Sequence, residues 1–274
     1  MPETHPVDTF PIVWDPNSRI GDMLRGKRGL VVGIANAHSI AFGCASTLRA
    51  VGAELAVTYL NEKSEQYVRP LAEQLEASLI LPLDVEQPGQ LEAVFERIRA
   101  EWGSLDFLIH SIAFAPRDDL HGRVVDCSLL GFIQAMRVSC YSFIEMARLA
   151  EPLMNPGGAL LTMSYHGADK VVTNYNIMGP VKAALEASTR YLAAELAQKG
   201  IRVFAVSPGP LKTRAASGIA HFDTLIDDAV ARTPAHRLVD IAEVGRVVAF
   251  LVGGASSGMS GDVIYVDAGL HIMA

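Results

Sequence analysis

The stretch "GLVVGIANAHSIAFG" (residues 29–43) decides the fold class of this chain. It begins with a short apolar run, passes through Gly33, and continues from Ser39 in a helix-like pattern of apolar and small residues. A strand, a turn glycine and a helix form the repeating unit of α/β proteins. The turn in such a unit directs free backbone N–H groups at an anionic group such as a pyrophosphate. Because the spacing is not G-x-G-x-x-G, a turn glycine with Ser39 as an ordinary N-cap residue explains the same letters.

The same alternation of apolar runs and helix-like segments continues along the chain. Strands that are apolar throughout indicate a parallel sheet covered by helices on both faces. Right-handed crossovers between them predict a single Rossmann-type, doubly wound α/β domain of about seven strands, with a small substrate-binding loop and helix segment. The predicted strands are 29–34, 53–59, 79–85, 105–112, 157–165, 201–209 and 262–269. The predicted helices are 39–51, 62–77, 89–103, 128–152 and one that starts between 175 and 178.

Length and composition agree with one domain. A chain of 274 residues, 50% of them hydrophobic, can bury a sizeable core in one α/β unit. We expect residues 1–25 to form an N-terminal extension and residues 26–274 the domain, with a substrate loop at about 210–232. The N-terminus lacks a secretory signal pattern, and no apolar run approaches the roughly 20 residues of a membrane span. We therefore expect a cytoplasmic protein.

Charge and cysteine usage argue against two other classes. A net charge of −7 argues against nucleic acid as a partner. Cys44, Cys127 and Cys140 lie in apolar stretches without metal-ligand spacing. We therefore expect reduced thiols and no metal site.

Ligands of doubly wound sheets bind beyond the carboxyl ends of the strands, so the residues after each strand are the candidates. Asp84 and Val85 suit the adenine end of a dinucleotide, although Asp84 as an N-cap residue explains the same position. The segment "HSIAFAP" (110–116) brings backbone and small side chains near a ribose or nicotinamide, with His110 as a core histidine. The Gly/Pro turn in "SPGPLKTRAASGI" suits a lid, in which Thr213 could bind a cofactor phosphate or amide. An ordinary irregular connection is the alternative.

The residues after the second strand leave the type of cofactor open. Leu60 and Asn61 stand where an acidic residue commonly holds the ribose hydroxyls of NAD. Lys63 could reach a 2′-phosphate or be a solvated helix lysine. The choice between NAD and NADP is therefore not determined at this position.

Residues 164–186, "SYHGADKVVTNYNIMGPVKAALE", place Tyr165 and Tyr175 ahead of Lys182. Tyr175 and Lys182 are seven residues apart, about two helical turns, which predicts that their side chains share one face. An ammonium group beside a phenol lowers the phenol pKa and improves its donation to an oxyanion. Pro180 is tolerated only in a first helical turn, so the helix should start just before it. An ordinary strand that runs into an ordinary helix is the alternative.

Taken together, the motifs are similar to those of a known family. They are "GxxxxxSIAxG", Asp84-Val85, "HSIAFAP", "LTMSYHGADK…NYNIMGPVKAALEASTRYLA", "GIRVFAVSPGPLKTRAASGI" and "SGxVIYVDAG". This set resembles the bacterial enoyl-acyl-carrier-protein reductases, a divergent group of short-chain dehydrogenases, over roughly residues 26–272. Ordinary short-chain dehydrogenases use Tyr-x3-Lys. Here Gly179 lies four residues after Tyr175, and Asp169 four after Tyr165, so only the Tyr-x6-Lys spacing is present.

The resemblance implies hydride transfer from NADH, with NADPH as a second possibility, to C3 of a trans-2-enoyl thioester in fatty-acid elongation. It implies that Tyr175 donates to the enolate oxygen, that Lys182 binds the nicotinamide ribose, and that Tyr165 supports them. The implied cofactor-binding residues are Gly33, Ser39, Ile40, Asp84, Val85, Ser111, Ile112, Lys182, Leu211 and Thr213. The implied substrate-binding residues are Phe114, Ala115, Tyr165, Met178, Ala215, Ala216 and Phe222.

The resemblance also implies an acyl carrier protein as partner and a homotetramer. An acidic carrier would need a local basic rim on this acidic chain. Candidate rim residues are Lys212, Arg214, Arg232 and Arg237. Departures from the family pattern occur at Leu60, Ala113, Pro180, Pro208 and Arg214. Two alternative functions are a short-chain reductase or dehydrogenase acting on a carbonyl or alcohol, and a non-catalytic nucleotide-binding regulator.

Overall fold

A single parallel sheet of seven strands organises the molecule, in the order β3-β2-β1-β4-β5-β6-β7. The computed structural model describes residues 22–211, 213 and 222–273, and the side chains of residues 222–224 lie outside this description. The strands are β1 (Arg28–Val32), β2 (Glu54–Tyr59), β3 (Leu79–Pro82), β4 (Leu105–His110), β5 (Met154–Met163), β6 (Arg202–Pro208) and β7 (Val263–Val266). The helices are α1 (Ile40–Ala50), α2 (Glu62–Gln74), α3 (Gln90–Trp102), α4 (Arg117–Leu120), α5 (Leu129–Met136), α6 (Ser142–Ala150), α7 (Met178–Leu196), α8 (Phe222–Arg232) and α9 (Ile241–Val252). The predicted doubly wound fold is confirmed.

The strand order reverses between β1 and β4. The chain builds β1, β2 and β3 toward one edge and then returns to place β4 on the other side of β1. The two central strands pair in register from Gly29 opposite Phe107 to Val32 opposite His110. In open α/β sheets this reversal leaves a crevice beyond the carboxyl ends of the strands.

Helix α9 was not among the predicted helices. It packs against α1 on one face of the sheet, where an added Cβ on Gly245 would lie 2.4 Å from Thr47 Oγ1. Asp240 and Glu243 form a capping box at its start. The sequence "DIAEV" carries this signal, an Asp three residues before a Glu ahead of an apolar run. The other face of the sheet is covered by α3, α6 and α7, whose apolar side chains form a second core cluster.

The predicted helical region 128–152 is confirmed, and its middle departs from α-helical geometry. A π-helical turn, Arg137–Tyr141, separates α5 from α6. Within it the buried Ser139 directs its hydroxyl at the backbone of Phe114. Isolated π turns of this kind occur preferentially at functional sites.

Two chain segments differ in detail from the predictions. Strand β3 ends at Pro82, so Asp84 and Val85 lie in the following loop rather than in the strand. Leu24 is fully buried, so packing against the domain begins before residue 26; residues 1–21 lie outside the described part of the chain. Among the described residues no helix has both the length and the apolar character to cross a membrane.

Candidate active site

A cavity of about 650 Å³ lies beyond the carboxyl ends of β1, β4, β5 and β6, next to the strand-order reversal. The predicted site residues that line it are Gly33, Ser39, Ile40, Ser111, Ile112, Phe114, Ala115, Tyr165, Tyr175, Met178, Lys182, Leu211 and Thr213. Asp84 and Val85 do not line it. Ala215 and Ala216 lie outside the described residues, as does the side chain of Phe222 at the start of α8. The structure therefore brings most of the predicted site into one cavity.

Gly33 lets the end of β1 approach the end of β4. Its φ is +111°, and an added Cβ would lie 2.1 Å from the carbonyl oxygen of Ser111. Neither the backbone angle nor this space admits a side chain. The turn after β1, which we call the cradle, therefore depends on a glycine at position 33.

Ser39 occupies the N-cap position of α1, but its side chain does not cap the helix. Its hydroxyl instead donates to the carbonyl oxygen of Asn36 at 2.7 Å. The ordinary-cap explanation of Ser39 is therefore wrong. The start of α1 keeps the partial positive charge and the uncapped N–H groups that suit an anion.

A turn, not a helix, holds Tyr175. Asn174 and Asn176 flank it with φ of 64° and 44°, left-handed angles that asparagine tolerates better than most residues. Helix α7 begins three residues later, with Pro180 in its first turn as predicted. Gly167 leaves room for the phenol, since an added Cβ would lie 2.6 Å from the Tyr175 ring.

Tyr165 and Tyr175 contact each other edge to face, with ring centroids 4.9 Å apart. Burial raises the pKa of both phenols, and for Tyr175 the neighbouring Tyr165 and Glu186 raise it further. We expected Lys182 to lower the pKa of Tyr175, and the direction is the opposite. Both phenols therefore keep their protons at neutral pH.

Lys182 is buried on the first turns of α7. Its Nζ donates to the carbonyl oxygen of Met163, the last residue of β5, at 2.6 Å. Burial lowers the pKa of Lys182 to about 8, while Cys140 and Glu186 act in the other direction. The backbone of β5 thus sets the position of the ammonium group inside the cavity.

A buried carboxyl group behind Lys182 was not predicted. Glu186 lies one helical turn further along α7 and accepts a hydrogen bond from the Ser164 hydroxyl at 2.5 Å. Burial raises the pKa of Glu186. Ser164 also lines the cavity, between Met163 and Tyr165. The four-residue spacing from Lys182 to Glu186 was the sequence signal for this neighbour.

The π turn holds two of the loops that carry predicted site residues. Ser139 Oγ accepts from the Phe114 N–H at 2.9 Å and donates to the Phe114 carbonyl at 3.0 Å. Arg137 donates to the carbonyl oxygen of Val85 at 3.1 Å and pairs with Glu145 at 2.8 Å. Both residues were missed, because no sequence pattern predicts where a long helix widens.

Three other predicted residues lie as follows. His110 is a core histidine as predicted: its ring nitrogens contact Thr162 and Ser142 hydroxyls at 2.8 and 2.9 Å, and burial lowers its pKa to about 3. Asp84 accepts from the Glu86 N–H at 2.9 Å and caps no helix, because Gly89 is the N-cap residue of α3. Leu60 is exposed.

The thiols, the candidate basic rim and the absence of a metal cluster complete the description. Cys44, Cys127 and Cys140 are free thiols, and burial raises the pKa of Cys44 to about 12.

Arg237 pairs with Glu243 at 2.7 Å. Arg232 ends α8, whereas Lys212 and Arg214 lie outside the described residues. Within the described ranges no group of His, Cys, Asp or Glu side chains could hold a metal ion.

The cavity is also lined by residues that the sequence analysis did not identify as site residues. They are Ala35, Arg117, Leu120, His121, Met163, Ser164, Gly209, Pro210 and Leu225. Ala113 and Pro208, two of the departures from the family pattern, also line it. Arg117 directly follows "HSIAFAP", and His121 lies four residues further on. This spacing places two side chains on one helix face.

Comparisons with known proteins agree with the family resemblance of the motifs and with the fold. The family model described as Enoyl-(Acyl carrier protein) reductase matches residues 33–271. The enoyl-[acyl-carrier-protein] reductase [NADH] FabI of Rickettsia felis is 45% identical over 251 residues, covering 92% of this chain and 96% of that protein. A solved reductase from Anaplasma phagocytophilum in complex with NAD is 44% identical, with a TM-score of 0.89 over 93% of this chain and 97% of that chain. A solved Bacillus cereus reductase with NADP+ and indole naphthyridinone is 44% identical, with a TM-score of 0.90 over 92% of this chain and 99% of that chain.

Proposed function

Since this chain belongs to the enoyl-(acyl carrier protein) reductase family, we propose that it transfers a hydride from NADH to C3 of a trans-2-enoyl thioester. The observation that carries the proposal is the shared cavity. Tyr175 and Lys182 line it together with the Gly33 turn, at the strand-order reversal of a parallel sheet. A phenol, an ammonium group and a glycine turn around one space support this proposal.

The described residues fit a nicotinamide dinucleotide, which supplies the hydride when bound. Gly33 leaves the space that a Cβ would fill, and the uncapped start of α1 at Ser39 suits the pyrophosphate. Lys182 would hold the nicotinamide ribose, and the loop at Asp84 and Val85 the adenine end. The remaining proposed contacts are Ile40, Ser111, Ile112, Leu211 and Thr213. The relatives' names favour NADH.

Tyr175 acts on the substrate as a hydrogen-bond donor. Negative charge develops on the thioester carbonyl oxygen as the reaction proceeds, so a donor there stabilises the transition state more than the substrate. The raised pKa of Tyr175 keeps the phenol neutral and able to donate. Tyr165, in edge contact with it, supports its orientation. Phe114, Ala115 and Met178 provide the apolar wall for the acyl chain.

An acyl carrier protein as partner, a homotetramer and a cytoplasmic location belong to the same proposal. The family name and the names of the relatives specify an enoyl group carried on acyl carrier protein. Exposed apolar side chains on α5 and α7 support association of copies: Leu129 and Leu130 are 73% and 78% exposed, and Tyr191 is 73% exposed. Such apolar surface is typical of subunit interfaces.

The test is the loss of reduced-nicotinamide absorbance when protein, NADH or NADPH, and crotonyl or longer trans-2-enoyl thioesters are mixed. We expect turnover in the wild type and at least about a hundredfold loss in Tyr175→Phe and in Lys182→Ala, as for removal of a transition-state donor. Tyr67→Phe, which changes an exposed tyrosine of α2 outside the cavity lining, is the control and should retain full activity.

Two results would favour the alternatives. Oxidation of the reduced nucleotide with ketones but with no enoyl thioester would identify a carbonyl reductase. Nucleotide binding without turnover of either substrate class would identify a non-catalytic regulator.

A further inference from the structure

The charge of the cavity lining differs from that of the protein. The chain has a net charge of −7, yet the described residues that line the cavity include no aspartate or glutamate. The ionisable groups among them are Arg117, His121, Lys182 and the two tyrosines. A cation without a carboxylate partner in a largely apolar cavity favours an anionic ligand.

Lys182 and Arg117 differ in their surroundings. The Lys182 ammonium is buried and donates to the Met163 carbonyl, whereas the Arg117 side chain is exposed. Within the part of the chain that the structure describes, the Arg117 guanidinium forms no ion pair and no side-chain hydrogen bond. By contrast, Arg123 in the same segment pairs with Asp126 at 3.7 Å. Arg117 therefore retains its five N–H donors for a ligand.

Hydrogen bonds from two different segments hold the C-terminal end of α4. At one side the Asp119 carboxylate accepts from the Ser128 N–H at 2.5 Å and from its hydroxyl at 3.2 Å. At the other side Asn176 Nδ2 donates to the Leu120 carbonyl oxygen. Because Asn176 directly follows Tyr175, the segment that carries Arg117 is attached to the turn that positions the proton donor. His121, four residues on, also lines the cavity.

We propose that Arg117 binds an oxyanion of the substrate at the exposed side of the cavity. This inference rests on the proposed reductase function. Apart from the thioester oxygen, which faces Tyr175 in the proposed reaction, such a substrate can carry an oxyanion in two places: the phosphate of the pantetheine arm, and a carboxylate at the far end of the acyl chain. A guanidinium binds either group through paired N–H donors.

Matched substrate pairs distinguish the two sources. The first pair is crotonyl-4′-phosphopantetheine and crotonyl-pantetheine, which differ by one phosphate. The second pair consists of N-acetylcysteamine thioesters of two trans-2-enoic acids that end in a carboxylate or a methyl group. In each pair the measured quantity is the ratio of kcat/KM for the anionic member to that for the uncharged member, at low and high salt.

We expect the wild type to prefer one anionic member by about five- to tenfold at low salt, as for one exposed charge-assisted pair. In Arg117→Gln that ratio should fall to about one, mainly through KM, since uniform binding is lost. Arg117→Lys should retain part of it. Arg123→Gln, which removes an arginine of the same segment that already has a carboxylate partner, should keep the wild-type ratio.

The outcomes separate this inference from the reductase proposal. A ratio of about one in the wild type for both pairs, or an unchanged ratio in Arg117→Gln, overturns the oxyanion site while the reductase stands. An absence of turnover with every enoyl thioester overturns the reductase, and the site with it. A preference confined to the first pair assigns the site to the carrier arm; one confined to the second assigns it to the acyl chain.

Discussion

Replacement of Gly33 by alanine tests the close approach of β1 and β4 that creates the cofactor cradle. The new methyl group would lie 2.1 Å from the Ser111 carbonyl oxygen and 2.6 Å from its carbon. Both atoms belong to the backbone, so the overlap is relieved only if the ends of the two central strands move apart. The backbone angle of +111° is also unfavourable for alanine.

The expected loss in the free energy of unfolding follows from the steric overlap and the backbone angle. Placing an L side chain at positive φ costs about 1–2 kcal/mol. Overlap in a packed region costs about 1–3 kcal/mol more. The free energy of unfolding of Gly33→Ala should therefore fall by about 2–5 kcal/mol, which corresponds to a decrease in Tm of about 5–15 °C in a protein of this size. NADH affinity should fall by at least about tenfold, because the strand ends that form the cradle are displaced.

Gly89→Ala is the matched control. Gly89 has a φ of +84°, but no atom lies within 4 Å of an added Cβ. It carries only the backbone cost of about 1–2 kcal/mol. Thermal unfolding with and without NADH, and fluorescence titration of NADH, measure both effects. Equal Tm values for Gly33→Ala and Gly89→Ala, with wild-type NADH affinity in both, would refute the close-approach argument.

Three further predictions concern charge, loop position and packing. NADH affinity should weaken as pH rises through about 8. Burial lowers the pKa of Lys182 to about 8, so the ammonium that binds the ribose loses its proton in this range. A binding titration across pH measures this. Ser139→Ala should raise the KM of the enoyl thioester about tenfold with a smaller change in kcat, because two hydrogen bonds to the Phe114 backbone are lost. Gly245→Ala should lower the free energy of unfolding by about 1–3 kcal/mol, without a change in NADH affinity, because its Cβ would overlap Thr47.

Each of these predictions has its own control. Lys182→Met should bind NADH weakly at every pH, and a persistent transition near pH 8 in this variant would assign the titration to another group. Thr189→Val removes a hydroxyl that donates to the Leu185 carbonyl within α7, so an equal rise in KM there would show that the effect is not specific to the Phe114 backbone. Gly254→Ala, with open space around the added Cβ, should unfold like the wild type.

The strands and the principal helices could be predicted because their patterns are local. A run such as residues 29–34 is apolar throughout, and this alone indicates a strand covered on both faces. Pro180 likewise restricts where α7 can begin, since proline is disfavoured in helix interiors, although α2 contains Pro70. Helix α9 was missed although its capping box is visible at Asp240 and Glu243.

The sequence could predict which residues form the candidate site, but not how they are arranged. The resemblance of the motifs named Tyr175, Lys182 and the residues around Gly33, and most of them meet in one cavity. The predicted lowering of the Tyr175 pKa was wrong, because burial raises it. That direction follows from burial and from which groups become neighbours, and both depend on the packing of distant segments.

The β–α alternation, the glycine at the first turn and the Tyr-x6-Lys spacing are visible in the chain before it folds. Folding adds three facts: the Met163 carbonyl binds Lys182, the π-turn hydroxyl of Ser139 holds the Phe114 backbone, and Arg117 lines the same cavity. The difference lies in the range over which each interaction acts. Propensity and apolar period act over a few residues, whereas these contacts join residues up to 25 positions apart through the order in which the strands assemble.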